Sequence, residues 1–173
     1  KIAVIVEKGF NRMKRVTILG STGSIGVNAL EVITAHPEEF EVAALACAEN
    51  AELLAEQAIR FRAKWVGIAD ESRAPLLKER LGSGTQIAVG REEIQSLAGM
   101  KDSDIVLVAI GGAEALAPTL AAIRSGKRVA IANKESLVIA GELLKREAAK
   151  SGALLLPVDS EHNAIFQCLE GRP

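Results

Sequence analysis

The chain has 173 residues, of which 49% are hydrophobic and 25% charged, and its net charge at pH 7 is −1. This composition is typical of a soluble chain of about one domain, which can bury a core without disulfides or metals. The near-neutral charge excludes the basic footprint of a nucleic-acid or anionic-membrane binder, and no apolar run approaches the roughly 20 residues of a membrane span.

The amino terminus and the two cysteines bear on processing and compartment. Residues 1–12 contain a short apolar run but neither a signal-peptide core nor a small-residue cleavage site. A signal peptide is therefore not expected, and a folded extra strand is one possibility for residues 1–12. Cys47 and Cys168 lack the spacing of metal ligands, so we expect reduced thiols that are buried or half-buried. Reduced thiols are typical of a cytoplasmic protein.

From Arg15 onward, short apolar runs alternate with longer amphipathic segments. Segments such as 51–63 and 113–125 have helical periodicity, and Asn50 is suited to cap the first of them. The alternation predicts an α/β fold with a doubly wound, mostly parallel sheet, as in a Rossmann-like dinucleotide-binding domain. The predicted strands are 15–19, 41–47, 65–69, 86–89, 104–110, 127–132 and 153–157.

Three glycines, Gly20, Gly23 and Gly26, lie between the first predicted strand and the first predicted helix. At this position a pyrophosphate can bind the backbone N–H groups of a helix amino terminus, and glycines let phosphate oxygens approach the main chain. The spacing Gly-x-x-Gly-x-x-Gly differs from the usual Gly-x-Gly-x-x-Gly. A tight strand-to-helix turn without a ligand is therefore the alternative.

The second predicted strand ends in Ala48, Glu49 and Asn50, the region that distinguishes NAD from NADP in this fold. An acid there can accept a hydrogen bond from the ribose 2′-OH, whereas a 2′-phosphate requires a cation nearby. Glu49 would repel a 2′-phosphate unless it turns away or a cation intervenes. Alternatively, Glu49 only complements the dipole of the following helix.

The loop Asn133-Lys134-Glu135 follows the predicted strand 127–132. Loops at the carboxyl ends of parallel strands are where such sheets bind ligands. A polar loop here therefore suits a ligand site, but Asn133 as a helix N-cap beside a solvated Lys134 is the structural alternative.

Asp159 and Glu161 follow the last predicted strand and are separated by Ser160. Carboxylate oxygens at a strand's carboxyl edge suit a hard cation such as Mg²⁺ or Mn²⁺. The structural alternative is a helix start, in which Ser160 is the N-cap and Glu161 lies in the first turn.

Three segments together resemble a known family: Gly-Ser-Thr-Gly-Ser-Ile-Gly at 20–26, Ala-Asn-Lys-Glu-Ser-Leu-Val at 132–138, and Leu-Pro-Val-Asp-Ser-Glu-His-Asn-Ala-Ile-Phe-Gln at 156–167. In these motifs, their order and their separation, the chain resembles the 1-deoxy-D-xylulose 5-phosphate reductoisomerases of non-mevalonate isoprenoid biosynthesis. The first motif is shared with many nucleotide-binding proteins, whereas the other two are specific. The resemblance runs from Met13 to Pro173 and covers the amino-terminal part of the family's enzymes.

The resemblance implies an NADPH-dependent oxidoreductase and isomerase that rearranges and then reduces a phosphorylated sugar. It implies that Asp159 and Glu161 bind Mg²⁺ or Mn²⁺, which acts as a Lewis acid. It makes Lys134 and Glu161 catalytic, and it places Lys134, Ser160 and Glu161 against the substrate. Glu49 departs from the family pattern, in which the corresponding loop is often basic. The implied cofactor contacts are Gly20, Thr22, Gly23, Ser24, Ile25, Ala48, Glu49, Asn50, Asn133 and Glu135.

The family's sequences typically begin near Met13, so the resemblance implies that residues 1–12 are an upstream extension or a cloning remnant rather than a folded strand. It further implies an NADPH-binding domain at 13–152 and the truncated start of a catalytic region at 153–173. The family's third carboxylate ligand, phosphate-binding residues and lid lie farther along, so we expect this chain to be inactive alone. The whole enzyme is expected to be a homodimer. Two alternatives remain: a dehydrogenase of the semialdehyde dehydrogenase type, for which Cys168 is a poor nucleophile, and a non-catalytic NAD(P)-binding module.

Overall fold

Strands and helices alternate along the part of the chain that the computed structural model describes, residues 12–170 without the side chains of Glu161, Gln167 and Glu170. The expectation for residues 1–12 lies, apart from Arg12, outside the described residues. The strands are β1 (Lys14–Leu19), β2 (Phe40–Cys47), β3 (Trp65–Ile68), β4 (Gln86–Val89), β5 (Ile105–Val108), β6 (Arg128–Ile131) and β7 (Leu154–Pro157). The helices are α1 (Ser24–Ala35), α2 (Ala51–Phe61), α3 (Ala74–Leu81), α4 (Arg91–Gly99), α5 (Leu116–Arg124), α6 (Lys134–Ser151) and α7 (Ser160–Glu170).

All seven described strands form one parallel sheet in the order β4-β3-β2-β1-β5-β6-β7. The chain first builds outward from β1 to β4 and then returns to place β5 on the other side of β1. This reversal of direction makes β1 and β5 the topological switch point of the sheet. The predicted doubly wound α/β architecture is confirmed.

The sheet is buried on both faces, because successive strand residues point to opposite sides. In β5, Ile105 and Leu107 belong to the apolar cluster that includes side chains of α1, α2 and α3. Val106 and Val108 belong to the cluster on the other face, which includes side chains of α4, α5 and α6. These four side chains are at most 1% exposed. Burying such apolar surface is the main stabilising contribution to the fold.

The predicted and observed boundaries differ by one or two residues at the strand ends. The predicted helix 113–125 is divided into a 3₁₀ turn, Ala113–Ala115, and α5. Cys47 is buried as expected, but the expectation is wrong for Cys168, which is exposed on α7. Among the described residues, no helix combines the length and apolar character needed to cross a membrane.

Candidate functional site

A cleft of about 460 Å³ opens at the carboxyl edge of the sheet, beside the ends of β1, β2 and β5. The helices that follow β1 and β5 leave to opposite faces of the sheet, so a crevice opens between the two strand ends. Its walls include residues 46–48 at the end of β2 and residues 109–111 after β5. Open α/β sheets bind ligands at such switch points.

The turn between β1 and α1 forms the base of this cleft, and two of its glycines are required by the protein's own packing. Gly20 has φ of +91°, and a Cβ on it would lie 2.4 Å from the carbonyl oxygen of Ala109. A Cβ on Gly26 would lie 2.3 Å from the carbonyl oxygen of Gly20. A larger residue at position 20 would force the turn away from the end of β5, and one at position 26 would force α1 away from the turn.

Gly23 differs from its two neighbours in the motif, because the fold itself does not exclude a side chain there. Its φ is −78°, and a Cβ would make only an ordinary contact, 3.5 Å from the carbonyl oxygen of Gly20. Gly23 and Thr22 line the cleft, and Gly23 is the N-cap of α1, without a side-chain cap and without an acidic residue in the first turn. The first N–H groups of α1, including those of Ser24 and Ile25, are therefore suited to an anion.

The end of β2 forms the second wall. Cys47 and Ala48 line the cleft, whereas the exposed Glu49 and Asn50 are not part of its lining. Asn50 is the N-cap of α2, as predicted, because its Oδ1 accepts a hydrogen bond from the N–H of Leu53 at 3.1 Å. Burial raises the pKa of the Cys47 thiol to about 11, and the charge of Glu49 acts in the same direction. Glu49 thus makes the region beside the cleft more negative.

Asn133 connects the loops that follow β5 and β6. Its amide Nδ2 donates to the carbonyl oxygens of Ile110 at 2.9 Å and Gly112 at 3.1 Å. Its Oδ1 accepts from the N–H of Ser136 at 2.7 Å and so caps α6. Asn133 is 3% exposed and does not itself line the cleft. Its side chain instead fixes the position of the loop after β5, which includes the lining residues Ile110 and Gly111.

Lys134 and Asp159 belong to a second group of polar residues, at the ends of β6 and β7. These strands are neighbours in the sheet, with Ile131 paired to Pro157, so both loops emerge at the same edge. Lys134 is exposed, as is Glu135 beside it. The structure therefore brings together Lys134 and Asp159, which are close enough for the lysine's charge to lower the pKa of the carboxyl.

The carboxylate of Asp159 is held by the start of α7. Oδ1 accepts a hydrogen bond from the N–H of His162 at 2.8 Å, and Oδ2 lies 2.6 Å from Nδ1 of the same residue. Burial alone would raise the pKa of Asp159, but the bonds from His162 and the charge of Lys134 outweigh it and hold the pKa below its ordinary value. The alternative that Ser160 caps α7 is corrected, since the capping side chain is that of Asp159.

The described side chains do not by themselves complete a metal centre. Among them, no group of three His, Cys, Asp or Glu residues is placed to hold an ion. Asp159 supplies a carboxylate of the right chemistry, but both of its oxygens face His162, and the side chain of Glu161 lies outside the described set. Mg²⁺ prefers an octahedral oxygen shell, which this region of the chain fills only in part.

Three charged residues that line the cleft, Arg91, Glu92 and Glu114, lie outside the sequence motifs. Arg91, the first residue of α4, forms an ion pair with Glu114, which lies in the 3₁₀ turn after β5, and both line the cleft. They are far apart in sequence, and neither belongs to a recognisable motif. The available signal was positional, since each closely follows a strand and a glycine with positive φ, Gly90 or Gly112.

The family model described as 1-deoxy-D-xylulose 5-phosphate reductoisomerase matches residues 16–141 of the chain. A curated protein of that name from Haemophilus ducreyi is 50% identical over 160 residues, covering 91% of this chain and 40% of the relative. Another, from Thermodesulfovibrio yellowstonii, is 47% identical over 159 residues, covering 92% of this chain and 42% of the relative. The chain therefore spans about 40% of the length of these relatives.

Solved structures show the same similarity. A reductoisomerase from Zymomonas mobilis in complex with NADPH is 47% identical, with a TM-score of 0.87 over 91% of this chain and 41% of that protein. A reductoisomerase in complex with NADPH, fosmidomycin and magnesium is 39% identical, with a TM-score of 0.85 over 90% of this chain and 39% of that protein. A biliverdin reductase from Synechocystis, 22% identical with a TM-score of 0.59 over 90% of this chain and 42% of that protein, shares the fold alone.

Proposed function

The chain belongs to the 1-deoxy-D-xylulose 5-phosphate reductoisomerase family, and from this premise we propose that it is the NADPH-binding part of such an enzyme. The whole protein would convert 1-deoxy-D-xylulose 5-phosphate to 2-C-methyl-D-erythritol 4-phosphate in non-mevalonate isoprenoid biosynthesis. The observation that carries the proposal is the cleft at the β1/β5 switch point, with a glycine turn at its base. Family membership favours this function over a semialdehyde dehydrogenase or a non-catalytic module.

The cleft suggests an orientation for the cofactor. The pyrophosphate binds the amino terminus of α1, where Thr22, Ser24 and Ile25 contribute hydroxyl and backbone groups. The adenosine half lies beside Ala48 and the loop that continues through Glu49 and Asn50, because that loop follows β2 on one side of the switch point. The nicotinamide half lies toward β5 and β6. There Asn133 supports the wall of the cleft, and Glu135 faces the nicotinamide.

The second polar group is proposed as the reacting end of the whole enzyme. Asp159 and Glu161 would hold Mg²⁺ or Mn²⁺, with at least one further ligand from the remainder of the protein. The bound cation supplies Lewis-acid chemistry at substrate oxygens. Lys134, Ser160 and Glu161 would contact the phosphorylated sugar. Support comes from the common edge on which Lys134 and Asp159 emerge.

We also propose an organisation for the whole protein. Residues 13–152 form the NADPH-binding domain, and residues 153–173 begin the catalytic region, although β7 within them still pairs with β6. The whole enzyme would be a cytoplasmic homodimer that binds neither nucleic acid nor a membrane. The near-neutral net charge of the chain agrees with the last two expectations.

Calorimetric titration of the purified chain with NADPH tests the cofactor proposal. We expect saturable binding, with little or no NADPH oxidation when substrate and Mg²⁺ are added, because the metal site is incomplete and substrate is not enclosed. Absence of binding would contradict the proposal. Substrate-dependent oxidation would show instead that the catalytic set is complete within these residues.

Replacing Asp159 by Asn in the whole enzyme tests the catalytic proposal. We expect kcat to fall by about 100-fold or more, equivalent to about 2.7 kcal/mol, with NADPH affinity nearly unchanged. Asn is as good an N-cap as Asp, so α7 keeps its start and a folding defect does not explain the loss. Glu161→Gln should behave similarly. Near-normal turnover of either variant at low Mg²⁺ would contradict the metal role.

A further inference from the structure

The charges around the adenosine side of the cleft pose a problem for a cofactor with a 2′-phosphate. Such a phosphate carries close to two negative charges and is bound best by a cation. The loop that follows β2 offers Glu49 instead, and the charge of Glu49 reaches the adjacent Cys47. Glu92, beside Arg91 on α4, and Glu114, in the turn after β5, add two further acids to the cleft lining. The cation must therefore come from elsewhere in the cleft.

Arg91 is the one cationic side chain among the described residues that line the cleft. It begins α4 directly after Gly90, whose φ is +94° and whose N–H donates to the carbonyl oxygen of Ile68 at 2.8 Å. This bond ties the turn to the end of β3, the strand next to β2. Ala48 and Ala69, which follow β2 and β3, line the same cleft. The backbone of Arg91 therefore lies on the side where the 2′-position of the adenosine ribose is expected, and its guanidinium reaches across the cleft to Glu114 in the turn after β5.

The ion pair between Arg91 and Glu114 is weak enough to be exchanged for a ligand. The two side chains are 68% and 60% exposed, and an exposed pair of this kind contributes little because solvent and salt screen it. A phosphate offers a guanidinium two parallel charge-assisted hydrogen bonds and more negative charge than one carboxylate. A 2′-phosphate in the cleft would therefore compete well with Glu114 for Arg91.

We propose that Arg91 is the residue that selects the 2′-phosphate of NADPH in this chain, replacing the basic residue that the β2 loop lacks. This inference rests on the proposed NADPH function. Glu114 pairs with the guanidinium at the cleft, and NADPH binding would transfer the guanidinium from Glu114 to the phosphate. Glu49 is not part of the lining, so its carboxylate does not occupy the phosphate position.

Titrations with NADPH and NADH, which differ by the 2′-phosphate alone, test the inference. Arg91→Ala should weaken NADPH binding by about tenfold or more and change NADH binding by less than about threefold. Arg91→Lys should retain part of the preference, since it keeps the charge but not the planar fork. Glu114→Gln should strengthen NADPH binding, because it removes the competing carboxylate. Arg73→Ala is the matched control, an exposed arginine paired with Asp70 and outside the cleft lining.

The outcomes separate this inference from the function on which it rests. An unchanged NADPH-to-NADH affinity ratio in Arg91→Ala would overturn the inference and leave the NADPH proposal standing, as would an equal loss for both nucleotides. A wild-type chain that binds neither nucleotide would overturn the proposed function, and the inference with it. A selective loss of NADPH affinity, with a weaker salt dependence than that of the wild type, would support the inference.

Discussion

The carboxylate of Asp159 lies 2.6 Å from Nδ1 of His162, while its other oxygen accepts the backbone N–H of the same residue at 2.8 Å. One side chain thereby caps α7 and holds an imidazole at the edge of the sheet. The arrangement keeps Asp159 ionised, with its pKa below the ordinary value. The contacts to His162 therefore fix the orientation of the residue that we propose as a metal ligand.

The first prediction concerns the stability contributed by this carboxylate. Asp159→Ala should lower the free energy of unfolding by about 1 kcal/mol at pH 7, because it removes the N-cap. The pKa of Asp159 is lower in the folded chain than in the unfolded chain. The part of the stability that depends on its charge is therefore fully present above the unfolded pKa of about 4, and it is lost as the pH falls through the folded pKa. Urea unfolding of wild type and Asp159→Asn should therefore converge near pH 3. A constant difference between pH 7 and pH 3 would contradict this assignment.

The second prediction compares two asparagine caps. Asn50 accepts one hydrogen bond at the start of α2, whereas Asn133 also donates to the carbonyl oxygens of Ile110 and Gly112. Asn50→Ala should therefore cost about 1 kcal/mol, and Asn133→Ala about 2–4 kcal/mol, since it also leaves carbonyl groups without their donor. Chemical denaturation of the two variants measures the difference. Equal losses would mean that the hydrogen bonds from Asn133 to the loop after β5 contribute nothing to stability.

The two thiols of the chain should react with a thiol reagent at different rates. Cys47 is buried with its pKa raised to about 11, whereas Cys168 is exposed. A thiol reagent at pH 8 should therefore modify Cys168 rapidly and Cys47 slowly, because the thiolate is the reactive form. Cys168→Ser should lose the fast phase, and saturating NADPH should slow the remaining reaction, since Cys47 lines the cleft. A fast phase that persists in Cys168→Ser would contradict the burial of Cys47.

The fold was predictable because its signals are local. Strands such as β5 have apolar residues at successive positions, which indicates burial on both faces, and the segments between them have helical periodicity. The glycine turn was predictable from its position between a strand and a helix, and Gly26 is required by contacts within that unit, whereas the contact that requires Gly20 is with Ala109 after β5. Strand ends differed by a residue or two because ladder hydrogen bonds, which depend on the neighbouring strand, decide where a strand stops.

The parts that the sequence did not predict depend on long-range contacts. The pair Arg91–Glu114 joins two loops that meet only after β5 has inserted beside β1. The hydrogen bonds from Asn133 to the loop after β5 likewise require that β5 and β6 are neighbours. Cys168, which lies in an apolar helical pattern, was expected to be at least half-buried because it lacks the spacing of a metal ligand, but within the described chain it is exposed, as is its neighbour Leu169 at 59%. Periodicity identifies an apolar face without showing what covers it.

The last prediction separates structural from ligand-facing glycines in the turn at the base of the cleft. Gly20→Ala and Gly26→Ala should unfold or strongly destabilise the chain, because each Cβ would approach a backbone carbonyl oxygen to 2.4 Å or less. Gly23→Ala should cost no more than about 1 kcal/mol, the usual penalty of Ala at an N-cap, since its Cβ meets only an ordinary contact at 3.5 Å and its φ is −78°. The added methyl group would instead take space beside the first N–H groups of α1, where we propose that the pyrophosphate binds. NADPH affinity of Gly23→Ala should therefore fall by about tenfold or more, as calorimetry would measure, without loss of the folded circular dichroism spectrum. Unchanged affinity in a folded Gly23→Ala would place the pyrophosphate elsewhere in the cleft.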